Sequence, residues 1–386
     1  MRVLAITQIW PNSLEPLRAT FNVQQFAEVA RHVDLTVLAA VPYFPAAELI
    51  GSPPRPALLA RLPAREVLQG IETVYLRQLY VPKVGVPLAV PLYLASLSPH
   101  RALLRRADVV FGTWAYPDGC AAILAARALG KPCVVKVHGS DLNLVAKIPS
   151  ARAVLRRVLP RAHAMVSVSR PLSSELQELG VSRERIHLVE NGIDARLFAP
   201  RDKAEARREL GLQVERKIVL FVGRLEPQKG LHDLLEAWSR VRAVRKDAML
   251  ALVGDGALRA EVEDRIAADP DALVAPGARP LAEVARWMAA CDVFTLPSWS
   301  EGTPNVILEA LASGRPAVGT RVGGIPDVLG NSLAGILVQP RNPEALARGL
   351  LDALSRSWDA ESVRLSGPCS WADSARHLVS VLATAR

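Results

Sequence analysis

The chain has 386 residues, half of them hydrophobic and 5% aromatic, with a formal net charge of +9. That much apolar material supports large cores and about two domains at roughly 150 residues each, and excludes a disordered chain. The four cysteines, Cys120, Cys133, Cys291 and Cys369, form no C-x-x-C pair, which excludes a disulfide framework or zinc knuckle and fits a reducing compartment.

The opening MRVLAITQIWP reads as a buried first strand and lacks the long apolar run and small-residue cleavage site of a signal peptide. Strands are expected at Val3–Thr7, Leu35–Ala39, Thr73–Leu76, Val109–Gly112, Cys133–Val137 and Met165–Val168. After Pro200 the pattern restarts, at Ile218–Gly223, Met249–Val253, Val293–Pro297, Ala317–Gly319 and Gly335–Val338. Several are near-continuous apolar runs, as parallel strands covered on both faces are. Helical stretches lie between them, so the expected class is α/β with two doubly wound, Rossmann-like parallel sheets. The boundary is expected near Asn191 to Lys203, giving domains 1–197 and 198–370. Trp371 to Ala385 reads as an amphipathic helix with Leu378 and Leu382 on one face. The uncharged stretch from Val84 to His100 is broken by Pro87, Pro91 and Pro99, so it is expected to be a buried or surface-contacting segment and not a membrane span.

The positive charge is uneven. Met1 to Pro200 carries 23 Lys+Arg against 14 Asp+Glu, and the remainder is neutral. A basic half points to an anionic partner: a membrane surface, a phosphorylated substrate or a nucleic acid. Aromatic interleaving, a zinc motif and a long basic arm are all missing, so no nucleic-acid partner is expected. Arginines beside leucines in RPALLARLPAREVL, and Arg152, Arg156, Arg157 and Arg161 beside Val154, Leu155 and Leu159, suit an anionic bilayer.

The chemistry centres on SWSEGTPNVILEA, Ser298 to Ala310. It follows a strand, so it lies at the carboxyl edge where open α/β sheets bind ligands. Thr303 is a good N-cap and Pro304 a good first helical residue, and the helix start suits a diphosphate. Glu301 before the helix and Glu309 inside it are acceptors suited to hydroxyl groups, or else plain surface acids. VGRLEPQKG, Val222 to Gly230, offers Gly223 for a tight turn and Arg224 and Lys229 to converge on one anion. VGDG supplies a further strand-end glycine, Gly254, a weak signal alone. CVVKVHGSDLN places His138 at a strand end, facing a cleft or simply packed, and Asp118 and Gly119 open a helix in GTWAYPDGCAA.

Together E-x7-E at Glu301 and Glu309, VGRLEPQKG, VHGSD, VENGID and PSWSEGTPNVILEALASGRPAV resemble the family 4 glycosyltransferases, the retaining nucleotide-sugar enzymes of the GT-B fold, among them those building bacterial cell-surface polysaccharides. The resemblance runs over nearly the whole chain. It implies two Rossmann-like domains facing a central cleft, the first binding acceptor, the second binding donor, and helix 371–386 crossing back to the first. It implies that Arg224 and Lys229 neutralise the donor diphosphate, that Glu301 and His138 contact the donor sugar, and that Glu309 holds the ribose. Gly302, Thr303, Pro304, Asn305 and Val306 would hold phosphate or sugar oxygens, beside Gly223 and Gly254. The expected donor is a UDP- or GDP-sugar, with no metal or other cofactor, and the acceptor a saccharide or polyprenyl-linked saccharide. The expected location is cytoplasmic, peripheral at the inner face of the plasma membrane. The first loop departs from the family's Gly-Gly turn: Arg18 stands in that region and is expected to meet the acceptor or a phosphate, and Asp118 and Asp141 are expected to bind the acceptor. Asp269–Pro270–Asp271 is a D-x-D at a turn, expected to bind no metal. The alternatives are a sugar-nucleotide epimerase or hydrolase of the same fold, or a silent nucleotide-sugar-binding subunit.

Overall fold

The computed structural model describes residues 1–16, 18–43, 54–79, 86–330, 333–367 and 369–386. The chain divides into two compact units. The first comprises Met1–Asn191 with Trp371–Arg386, and the second Gly192–Ser370.

The first unit is built on β1 (Arg2–Thr7), β2 (Asp34–Tyr43), β3 (Arg65–Leu68), β4 (Ile71–Leu79), β5 (Val109–Thr113), β6 (Cys133–Lys136), β7 (Ala164–Ser167) and β8 (Ile186–Leu188). Their order is β3-β4-β2-β1-β5-β6-β7-β8, parallel apart from the β3–β4 hairpin. Successive residues of a strand face opposite sides. Accordingly Leu4 and Ile6 of β1 join the core under helices Ala89–Leu97, Cys120–Ala128 and Pro149–Val158, while Val3 and Ala5 join another with Phe26 and Val29 of helix Thr20–Val29. Helix Trp371–Thr384 completes that second core through Ala375, Leu378, Val381 and Leu382. Each of its large aliphatic side chains contributes roughly 1.5–3 kcal/mol by leaving water.

The second unit holds β9 (Lys217–Val222), β10 (Ala248–Val253), β11 (Leu273–Gly277), β12 (Val293–Leu296), β13 (Ala317–Thr320) and β14 (Gly335–Val338), in the order β11-β10-β9-β12-β13-β14, all parallel. β9 and β10 are almost wholly buried. The order reverses at β9, so β9 and β12 leave in opposite directions and open a crevice at their carboxyl ends.

The division after Asn191 falls earlier than the expected 197/198. The Ile193 amide donates to the Cys369 carbonyl at 3.1 Å, and Phe198 is buried in the core of the second unit. The stretch from Val84 to His100 is described from Val86 onward, where it forms a 3-10 turn, Val86–Leu88, and helix Ala89–Leu97. Residues 84 and 85 lie outside the described residues. Among the described residues, no helix is long and apolar enough to cross a membrane.

Candidate active site

In the second unit, three strand exits interlock. A Cβ on Gly254, after β10, would lie 1.9 Å from the Gly223 carbonyl oxygen, after β9. A Cβ on Gly230 would lie 2.0 Å from the Pro297 carbonyl oxygen, after β12, and its φ of 69° is left-handed besides. No side chain fits at either position, so the loops approach backbone to backbone. The Trp299 amide donates to the Gln228 carbonyl at 2.9 Å, and the Trp299 indole to Asp233 at 2.7 Å, fastening the β12 loop to the β9 loop.

This fastening sets Lys229 against Glu301. Lys229 Nζ lies 2.6 Å from Glu301 Oε1, and the Ser298 hydroxyl donates to the same oxygen at 2.6 Å. Their side chains are 24% and 10% exposed, so the pair is held within the wall of the site yet still reachable. Arg224 does not join Lys229. Its guanidinium donates to Glu226 at 2.7 Å, and its side chain is 72% exposed. The expected convergence of the two cations on one point is therefore not what the side chains show: each takes the carboxylate nearest to it.

The helix after β12 spans Asn305–Ala312, and Pro304, not Thr303, is its N-cap. Pro304 has φ −81° and ψ 82°, outside the helical region, so the expected first helical residue stands just ahead of the helix and supplies no side-chain cap. The Ile307 amide still finds the Pro304 carbonyl at 2.9 Å. Gly302 and Thr303 belong to the loop, and Asn305 and Val306 open the helix. Glu309 lies in its second turn and is partly buried. None of the described side chains bonds to its carboxylate, and burial pushes its pKa up to about 8. The two glutamates thus differ in kind: Glu301 is an ion-paired carboxylate, Glu309 an enclosed one whose proton is retained toward neutral pH.

In the first unit, His138 follows β6, with its ring between Phe21 (centroids 5.4 Å apart) and Trp114 (6.2 Å, nearly parallel). Its Nε2 is buried without a hydrogen-bond partner. Burial, helped by the nearby Lys136 charge, holds the imidazole well below its ordinary pKa, and therefore neutral. Trp114 itself has φ 90° and ψ 118°, a costly backbone for a residue with a side chain.

Asp118 and Asp141 are not placed as acceptor contacts. Both are fully buried. Asp141 accepts from the backbone amides of Ala115 (2.9 Å), His138 (3.1 Å) and Gly139 (2.7 Å), clamping two loops together. Asp118 accepts from the Gln8 amide at 2.7 Å. The Asp141 carboxylate is thus spent on N–H groups, while Asp118 Oδ1 is, among the described residues, buried without a hydrogen-bond partner. Arg18 is only partly buried. It donates to the Gln8 carbonyl at 3.1 Å, pairs with Glu15 at 3.5 Å, and lines a cavity of about 460 Å³.

Sequence reasoning missed Lys136. It is wholly buried, its ammonium 2.6 Å from Gln25 Oε1 and 3.2 Å from Asn191 Oδ1, and burial lowers its pKa to about 7. The Gln25 amide in turn reaches Ser374 Oγ at 2.9 Å, and Ser374 donates to the Glu190 carbonyl at 2.6 Å. The signal was present: a lysine inside the apolar run CVVKV is out of place unless it is partnered.

Two family models match the chain: Glycosyltransferase Family 4 over residues 48–197, and Glycosyl transferases group 1 over residues 216–356. A Bacillus subtilis relative, named as a teichuronic acid biosynthesis glycosyltransferase, is 28% identical over 371 residues, covering 91% of this chain and 88% of the relative. The N-acetyl-alpha-D-glucosaminyl L-malate synthase of Bacillus anthracis is 30% identical over 259 residues, 64% of this chain and 65% of its own. Among solved structures, Anabaena HepE in complex with UDP is similar in fold over the full length of both chains, with a TM-score of 0.72 and 18% identity.

Proposed function

The chain belongs to the family 4 glycosyltransferases, with the GT-B fold, and on that premise we propose that it moves a sugar from a UDP- or GDP-sugar to a saccharide or lipid-linked acceptor, with retention and without a metal. The observation that carries this is the Lys229–Glu301 pair, 2.6 Å apart, at the carboxyl ends of β9 and β12. It sets a cation suited to a diphosphate beside a carboxylate suited to sugar hydroxyls.

In this reading the diphosphate draws on Lys229 and on the exposed guanidinium of Arg224, and meets backbone N–H groups of Gly302, Thr303, Asn305 and Val306, with Gly223 and Gly254 allowing close approach. Glu301 contacts the sugar and Glu309 the ribose hydroxyls. The neutral imidazole of His138 meets a hydroxyl of the transferred sugar. The bond from the anomeric carbon to the diphosphate breaks and the acceptor oxygen bonds to that carbon on the same face. The acceptor proton passes to the departing phosphate oxygen. Two cations in place of a metal neutralise the growing negative charge. The D-x-D aspartates, Asp269 and Asp271, precede β11 at its amino end, and Asp269 pairs with Arg242 at 3.5 Å, away from the carboxyl edge.

The relative named for teichuronic acid synthesis supports a role in cell-surface polysaccharide assembly. The exposed arginines Arg156, Arg157 and Arg161 support peripheral attachment to the cytoplasmic leaflet. Product formation from UDP- and GDP-sugars in EDTA, with the anomeric configuration read by NMR, tests the central claim. An inverted product, or activity restored only by Mg²⁺ or Mn²⁺, refutes it.

A further inference from the structure

Trp299 ties together the two strand exits that carry Lys229 and Glu301. Its amide donates to the Gln228 carbonyl (2.9 Å), just before Lys229, and its indole N–H to Asp233 (2.7 Å), in the first turn of helix Leu231–Val244 just after it. On the β12 side, Ser298 precedes Trp299 and gives its hydroxyl to Glu301. The backbone of that loop is also held by the β13 exit. The Thr320 hydroxyl donates to the Ser298 carbonyl at 2.6 Å, and the Gly324 amide to the Gly302 carbonyl at 2.9 Å. A displaced Trp299 would therefore shift Lys229 and Glu301 against each other.

One face of the Trp299 ring is covered from the β14 exit. Arg341 follows β14, and its guanidinium carbon lies 4.7 Å from the ring centre. Arg341 is exposed and Trp299 half-buried. The backbone at Arg341 has φ 56°, and among the described residues it is the only non-glycine residue of the second unit with positive φ. The next residue, Asn342, caps helix Pro343–Ser355 by accepting from the Ala345 amide at 2.8 Å. Glycine would make that left-handed turn without strain. Arginine makes it at a cost and places a cation on Trp299. A cation over the π face draws electron density from the ring and strengthens the indole N–H as a donor to Asp233.

We propose that Arg341 is a positioning residue: by covering the Trp299 ring it holds the tie that sets Lys229 against Glu301, and so tunes the affinity of the site for a nucleoside diphosphate. It acts through Trp299 and does not touch the ligand. This deepens the transferase reading and rests on its assignment of the diphosphate to Lys229.

The full chain is titrated calorimetrically with UDP and with GDP. Arg341→Gln keeps the left-handed backbone but loses the cation. It is expected to weaken the nucleotide that binds about two- to fivefold, the worth of one exposed cation–π contact. Arg341→Lys, which keeps the cation, should retain most of the affinity. Arg341→Gly should lose as much as Arg341→Gln while its melting temperature stays near that of the unsubstituted chain. Relief of the left-handed strain there offsets the freedom that glycine adds to the unfolded chain. In the nucleotide-free protein, Arg341→Gln should speed hydrogen exchange in the peptide spanning residues 298–303, a readout that a direct nucleotide contact would not move. In a Trp299→Leu background, Arg341→Gln should cost nothing further. Unchanged affinity or unchanged exchange in Arg341→Gln, or an equal loss in the Trp299→Leu background, overturns the inference. Lys229→Ala separates the two levels. If it weakens the nucleotide and Arg341→Gln does not, this inference alone fails. If Lys229→Ala leaves the affinity unchanged, or neither UDP nor GDP binds, the diphosphate assignment fails with it.

Discussion

The ammonium of Lys229 lies 2.6 Å from Glu301 Oε1, and the Ser298 hydroxyl donates to the same oxygen at 2.6 Å. A diphosphate arriving at this point competes with Glu301 for the ammonium, and the Glu301 carboxylate then accepts from sugar hydroxyls in the proposed reading. Lys229→Ala is expected to lower turnover about a hundredfold to a thousandfold, the usual loss for one preorganised electrostatic contact. Glu301→Gln should also lower the rate, with little change in nucleoside diphosphate affinity. Steady-state kinetics and calorimetry on both variants decide this, and near-normal turnover in Lys229→Ala refutes the role.

Arg224 carries a separate expectation. It is exposed, and among the described residues its side chain pairs with Glu226. Such a surface pair contributes little stability. Arg224→Ala should therefore leave thermal stability unchanged while slowing transfer. A melting curve and a rate assay on one preparation check both halves.

Glu309 should impose a pH dependence on donor binding. Its pKa in the folded protein is about 8, above the ordinary glutamate value, so ribose hydroxyls meet more of the carboxylate form as pH rises from 7 to 9. Nucleotide affinity is expected to rise over that range and to be flat in Glu309→Gln. Stability runs the other way. The folded state keeps a proton that the unfolded chain has lost, so stability contributed by this group falls between about pH 4.5 and 8. Urea titrations of both proteins at pH 5 and pH 8 test the sign.

Lys136 gives the opposite slope in a different window. The unfolded chain holds the proton to about pH 10.5, while the folded protein releases it above about 7. The unfolded state thus binds more protons between those values, and stability should rise with pH across them. Lys136→Met should abolish that slope. A slope unaltered by the substitution assigns it to other groups.

Asp141 answers to three backbone amides, and Asp141→Ala leaves all three buried without an acceptor. At about 1 kcal/mol or more for each, the expected loss is about 3 kcal/mol or greater. Because His138 hangs on the same clamp, activity should fall further than the fraction unfolded explains. Chemical denaturation alongside a rate measurement distinguishes the two.

The layout of strands was legible because buried parallel strands write themselves as apolar runs. β3 escaped because it is a half-exposed edge, REVL, with burial on alternate residues only. Its cue was the turn: Gln69 and Gly70 both take positive φ, 51° and 77°, as a two-residue hairpin requires. β8, three residues of intermediate burial, offered no run to read. In the site, Lys229, Glu301 and Glu309 were singled out because the strand-end loops of open α/β sheets are where ligands bind. Asp118 and Asp141 were misassigned because their partners are amides of remote loops, at Gln8 and Ala115, which no local spacing reveals. The same holds for Lys136, whose oxygen ligands come from Gln25 and Asn191. Thr303 carried the composition of a cap, yet the Pro304 backbone set the helix start one residue later.

Helix Trp371–Thr384 packs on β1, β2 and helix Thr20–Val29, although the whole second unit intervenes in the chain. Synthesis therefore delivers the two units out of order. The second is contiguous and can close as soon as Ser370 has left the ribosome. The first, begun earlier, carries Phe26 and Val29 on an incompletely covered face until the returning helix emerges. A nascent chain stalled near Ser370 presents that face to chaperones, and a truncation there should yield a folded second unit fused to an aggregation-prone first.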